Sequence, residues 1–217
     1  MTLDNAVLYT ISSTALEDSA SMCTLAGQIA TAADTHRLVV VVGASEREHR
    51  AMHNKAALLG PASDVLNRAN LLTLAARENA QRLAGLVSMM GVDSALLDVS
   101  AHAPITRGNP LEAEPRLLNA KRFEAASAGA DVLVIAGGVG RTPQGELTSL
   151  GSGGATLSGL FIAQRLGLPA RIVVGPRHLD SDLPKRSRLF ARRHGLAHET
   201  VTTIEPITVD AMESVVM

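Results

Sequence analysis

The chain has 217 residues, of which 46% are hydrophobic and 2% aromatic, with a formal net charge of -1 and one cysteine, Cys23. That length supports one sizeable aliphatic core, and the absence of any long charged or low-complexity tract leaves a single domain over residues 1–217 as the expectation. Near-neutral charge with dispersed basic residues excludes the footprint of a nucleic-acid binder, scarce aromatics exclude base stacking, and a lone cysteine forms no internal disulfide.

The opening MTLDNAVLYT lacks the basic segment and apolar core of a secretory leader. No apolar run reaches the roughly 20 residues needed to span a bilayer. The expectation is a soluble cytoplasmic protein without a membrane partner.

Residues 6–11 form the first strand candidate, and Ser12, Ser13 and Thr14 offer capping hydroxyls for a helix over about residues 17–33. RLVVVVG, residues 37–43, is β-branched and uncharged after Arg37, which predicts a strand buried on both faces. Helical pattern runs from Ser45 and, past the Gly60-Pro61 break, from Ser63 to a stop at Gly91. Residues 94–99 read as a third strand, residues 102–115 as a proline-rich loop, and residues 117–128 as a helix. The apolar run 131–136 is again a buried strand, followed by a helix to Leu166, a strand over 171–174, a basic helix over 183–194 and a last strand over 198–204. Alternating strands and helices predict a mainly parallel sheet in a three-layer αβα sandwich.

In such sheets ligands sit beyond the carboxyl ends of the strands. Gly137, Gly138 and Gly140 follow one strand there, and Gly151, Gly153 and Gly154 precede a helix whose first N–H groups lack intrahelical partners. Two readings are open, tight turns alone or a small-anion pocket. Thr148, Ser149, Ser152 and Thr156, with Thr142 and Ser158, are either neutral donors to a ligand or caps and turn residues.

The run GRTPQGELTSLGSGG, residues 140–154, resembles the aspartokinase branch of the amino-acid kinase family, whose pattern is G-x-T-x-x-G-x-x-T-T-L-G-R-G-G-S-D-Y. The order of elements from Val7 to Val174 is similar to that family as well. The resemblance implies an αβα fold in which ATP, with magnesium, phosphorylates the side-chain carboxylate of a small amino acid. It also implies a dimer or larger homo-oligomer, or a partner chain.

The charged groups of that reaction are replaced here. The family's K-F-G-G-T-S turn corresponds to YTISST, residues 9–14, without lysine; its G-E-x-x-S glutamate falls on Ala76, with Glu78 on a different face. Its substrate-clamping arginine corresponds to Ser152 and the following aspartate to Thr156. The T-D-V-D-G loop of the nucleotide half reads VGPRH, residues 174–178, and no later lysine loop or regulatory domain is expected. Phosphoryl transfer rests on positive charge around the moving group, so these losses imply a catalytically degenerate protein. The ligand-binding candidates are therefore Gly137, Gly138, Gly140, Thr148, Ser149, Gly151, Ser152, Gly153, Gly154 and Thr156.

Two alternatives stay open: an active kinase, with ATP and magnesium, in which Arg141, Lys121 or the Arg186 cluster replaces the lysine, and a different enzyme using Ser149, Ser152, Thr156 and a histidine. His49 and His53, or His194 and His198, have helical-turn spacing, but no third ligand accompanies either pair, so no metal is expected. Lys185, Arg186, Arg188, Arg192 and Arg193 make either a solvated basic face or an anion site, and Cys23 reads as a small buried hydrophobe.

Overall fold

The uncharged run after Arg37 lies in the middle of the protein's main sheet. The structure, a computed structural model, describes residues 3, 6–16, 19–60, 64–175 and 183–202. In chain order the elements are β1 (Ala6–Ile11), a one-turn 3-10 helix (Ser13–Ala15), α1 (Ser19–Ala33), β2 (Arg37–Val42), α2 (Glu46–Leu58), α3 (Val65–Met89), β3 (Ser94–Leu96), α4 (Val99–His102), β4 (Ile105–Arg107) and β5 (Glu114–Leu117). They continue with α5 (Ala120–Ala126), β6 (Val132–Ala136), β7 (Val139–Arg141), β8 (Leu147–Ser149), α6 (Gly154–Leu166), β9 (Ala170–Val174), α7 (Lys185–His194) and β10 (His198–Thr202).

Six strands form one sheet in the order β10-β9-β1-β2-β6-β3, and every pairing is parallel. Successive side chains point to opposite faces, and both faces are covered, which is why β2 and β6 read as unbroken apolar runs. Val40, Val42, Val132 and Val134 face Leu25 and Ile29 of α1 and Ala80, Leu83 and Val87 of α3. Val39, Val41, Leu133 and Ile135 face Phe123 of α5, Leu160 and Ile162 of α6, and Ala191 of α7. The expected three-layer αβα sandwich with a parallel sheet is present.

The stretch expected as a proline-rich loop contains β4 and β5. With β7 and β8 these make a second sheet, ordered β5-β4-β7-β8. Its strands have only three or four residues, too few to display an alternating pattern, and Pro115 is tolerated because β5 is an edge strand. The expected helix from residue 117 starts instead at Ala120, since Leu117 belongs to β5. The third strand stops at Leu96, because Asp98 caps α4 by accepting from the Ser100 amide at 2.9 Å. Hydrogen bonds from Ser100, first from its hydroxyl and then from its amide, hold the Asp98 carboxyl below its ordinary value.

Ser12–Thr14 differ too. Ser12 Oγ lies 2.7 Å from Thr14 Oγ1, which accepts from the Gly175 amide at 3.1 Å and so ties the end of β1 to the end of β9. Pro61, Ser63, Pro176, Arg177 and His178, and residues 17 and 203–204 of the expected first helix and last strand, lie outside the described residues. No helix among the described residues is long and apolar enough to cross a membrane.

Candidate functional site

The carboxyl ends of the parallel strands meet the start of α6, and glycines set how closely. A Cβ on Gly137, just after β6, would lie 2.8 Å from Val41 Cγ1 and 3.0 Å from Ala155 Cβ. Gly138 has φ of +74°, a conformation that L side chains rarely adopt, and its amide donates to Ser158 Oγ at 3.0 Å. The first turn of α6 is thereby held directly against the sheet.

Beside it opens a cavity of about 620 Å³. Eight of the ten predicted ligand-binding residues line it: Gly137, Gly138, Ser149, Gly151, Ser152, Gly153, Gly154 and Thr156. Gly140 and Thr148 do not, because they are packed inside the second sheet. Thr148 Oγ1 bonds Thr106 Oγ1 at 2.8 Å, and a Cβ on Gly140 would overlap the Thr106 methyl group. The hairpin β7–β8 lies between the two glycine clusters, so they are one strand pair apart rather than successive loops.

Three of the four positions at which the resemblance places charged groups, Ala76, Ser152 and Thr156, line this cavity. Ser12, Ser13 and Thr14 from the end of the lysine turn line it too, whereas Tyr9, which stands opposite the family's lysine, lies in β1 and accepts from Arg171 at 2.8 Å. At Ala76, Ser152 and Thr156 the cavity meets methyl and hydroxyl groups.

The charge comes from elsewhere. Among the described lining residues the charged side chains are Glu46 and Arg50, accompanied by His49 and His53, and all four lie on α2. Their spacing of three, four and seven residues from Glu46 places them on one helical face. The sequence reading weighed the two histidines, one turn apart after Glu46, as metal ligands against a solvated helix face; the shared spacing of Arg50 was the overlooked signal. The rings of His49 and His53 are 4.5 Å apart. Burial, and next the charge of His53, hold His49 below its ordinary histidine value, against an opposing effect of Glu46. No group of three or more potential metal ligands occurs among the described residues, and His198 lies on β10 rather than one turn along the helix from His194.

α2 is fixed at its start by a capping box. Ser45 Oγ accepts from the Glu48 amide at 3.2 Å while Glu48 Oε2 accepts from the Ser45 amide at 2.8 Å. Buried Asn79 of α3 closes the network, its Nδ2 donating to Glu48 Oε2 at 2.8 Å and to the Gly43 carbonyl at 3.2 Å. Asn79→Ala takes a donor from the buried Gly43 carbonyl and from the half-buried Glu48 carboxylate, which costs about 1–3 kcal/mol. The expected melting temperature is lower by about 3–10 °C, with faster amide exchange in α2. An unchanged melting curve and unchanged exchange would contradict this anchoring.

Arg141, Lys121 and Arg186 do not line the cavity. Arg186 donates to the Leu150 carbonyl and, at 3.1 Å, to that of Ala113, so it ties α7 to the loop before α6. Arg141 Nε is buried in β7 without a partner. Cys23, expected to be buried, is exposed on α1.

A model of the amino acid kinase family matches residues 5–174. Aspartate kinase from Synechocystis is similar in structure, with a TM-score of 0.72 at 18% identity over 91% of this chain and 38% of its own. E. coli aspartokinase III, solved with aspartate and ADP, gives 0.70 at 14% identity over 93% and 62%. Uridylate kinase from Archaeoglobus fulgidus gives 0.57 at 15% identity over 91% and 90%. The chain thus spans 38% and 62% of the length of the two aspartokinases. No curated protein sequence matches it. With a family match over most of its length, the same sheet and an aspartokinase-like glycine run beside the cavity, the chain belongs to the amino acid kinase family.

Proposed function

We propose that this protein binds a small anionic or amino-acid-like ligand in the cavity beside α6 and transfers no phosphate, acting as a ligand-binding, regulatory or structural member of its family. One observation carries the reading: the glycine scaffold is kept, while the cavity presents Ala76, Ser152 and Thr156 where the resemblance places charged groups. The aspartate and ADP bound to E. coli aspartokinase III give the class of molecule such a cavity suits. The described donors do not suit magnesium triphosphate, which needs carboxylates for the metal and fixed cations for the phosphates. Glu46 is the single carboxylate among the described lining residues, and no lysine is among them. A cytoplasmic location and assembly as a dimer or larger homo-oligomer, or with a partner chain, belong to the same proposal.

Thermal melting tests it. A fitting ligand at a hundredfold excess over its Kd stabilises by about 2.7 kcal/mol, a rise of roughly 5–10 °C for a chain of this size. L-aspartate, L-glutamate or sulfate is expected to produce such a rise, whereas magnesium-ATP at millimolar concentration leaves the curve in place. A saturable rise with magnesium-ATP, and none with the small anions, would overturn the proposal in favour of an active kinase.

A further inference from the structure

The cavity contains an unexpected division of labour. Its floor is neutral: the Ser12–Thr14 hydroxyls, the Ala76 methyl group, and Ser152 and Thr156 at the start of α6. Among the described lining residues its charge is confined to α2. Arg50 is exposed toward solvent and makes no salt bridge among the described residues, while His49 is half-buried beside it. The same arginine also lines an adjoining cavity of about 460 Å³ with Ser13, Thr14 and Glu46, so it stands where two hollows meet.

We propose that α2 supplies the cationic recognition element of this site, with Arg50 as the principal contact and His49 and His53 beside it, and that the ligand carries a compact oxyanion, either a carboxylate or a tetrahedral oxyanion. This rests on the ligand-binding reading above and adds the groups that hold the ligand and the chemistry they select.

Three arguments support it. A guanidinium presents donors in a fixed fork that matches two oxygens of either kind of anion, and charge-assisted bonds of this type are about twice as strong as neutral ones. The start of α6 contributes amide donors and the positive end of a dipole, which by itself makes no site, but here it shares a cavity with an arginine. Third, α2 is positioned by the Ser45–Glu48–Asn79 network rather than by a large apolar face; Ala56 is its one fully buried residue. The helix is held at its base, and its charged face is left to the cavity.

His49 gives the site a pH dependence. The titratable and charged groups facing it from the described lining are His53, Arg50 and Glu46, all on α2; the lining residues from the 3-10 helix, α3, α6 and β9 carry none. Protonation of His49 or His53 adds positive charge beside Arg50, so an oxyanion binds more tightly as pH falls, and a bound oxyanion in turn favours the protonated rings.

Isothermal titration of the full chain with sulfate and with L-aspartate tests this, since both keep constant charge between about pH 5.5 and 8. Wild-type protein is expected to bind one of them, and which one identifies the oxyanion. Arg50→Gln should weaken that probe about tenfold or more. The double variant His49→Gln/His53→Gln should abolish a tightening of about three- to tenfold toward acid pH. Ser152→Asp, which places a negative charge in the cavity, should also abolish binding. If neither probe binds wild-type protein, the ligand-binding reading falls and this inference with it. If a probe binds and Ser152→Asp blocks it while Arg50→Gln has no effect, the cavity reading stands and the role of α2 is overturned. Weakening by Arg50→Gln without any effect of Ser152→Asp places the probe outside the cavity and overturns it as well.

Discussion

Gly159→Val is expected to lower the melting temperature by about 6–12 °C, whereas Gly85→Ala is expected to raise it slightly. Both glycines sit in helices, α6 and α3. A Cβ on Gly159 would overlap Thr10 Oγ1 and approach Thr10 Cβ to 2.9 Å, so α6 could not lie against β1 without moving. Overpacking of a filled core costs about 3 kcal/mol or more in such a case, and each kcal/mol is worth about 2–4 °C at this chain length. Around Gly85 nothing lies within 4 Å, so alanine there only removes the poor helix propensity of glycine, a gain of up to about 1 kcal/mol. Differential scanning calorimetry on the two variants decides it. Equal shifts would mean that the contact between α6 and β1, on which the cavity's position depends, is wrongly described.

That contrast shows where the sequence was informative. Two-sided burial of a parallel sheet leaves unbroken apolar runs, so β2 and β6 could be read directly, together with the long helix α3 and its stop at Gly91. The second sheet could not be read, because β4, β7 and β8 have three residues each, too few for a local pattern, and β4 joins the β7–β8 hairpin only by pairing across 35 or so positions. The glycine motif marked the site, and eight of its ten named residues share one cavity. It did not show that Gly140 and Thr148 serve the hairpin, since a glycine required by a neighbouring methyl group looks the same as one required by a ligand. The wall formed by α2 was hidden for a different reason. Its apolar content is low, so it read as a solvated helix, and only the fold brings Glu46, His49, Arg50 and His53 to the ends of β1 and β6.

The second large effect concerns catalysis. Kinases turn over at roughly 1–100 per second, and loss of a single preorganised stabilising group typically costs about 10²–10³ in rate. Here the turn after β1 offers Ser12, Ser13 and Thr14, and the other positions offer Ala76, Ser152 and Thr156. Losses within one catalytic unit do not add simply, yet two of them at full weight place turnover below about 10⁻² per second. Relocated cations do not repair this, since Arg186 is committed to the Leu150 and Ala113 carbonyls and Arg50 shares the cavity with neutral groups that offer a metal nothing.

The most direct test is transfer of radiolabelled γ-phosphate from magnesium-ATP to L-aspartate or L-glutamate by purified wild-type protein, followed over hours against an enzyme-free blank. The expected result is no acyl phosphate and no ADP above the blank, in protein that still binds sulfate or L-aspartate. Turnover near one per second, abolished by Ser152→Asp, would contradict the account and make the cavity a working kinase site.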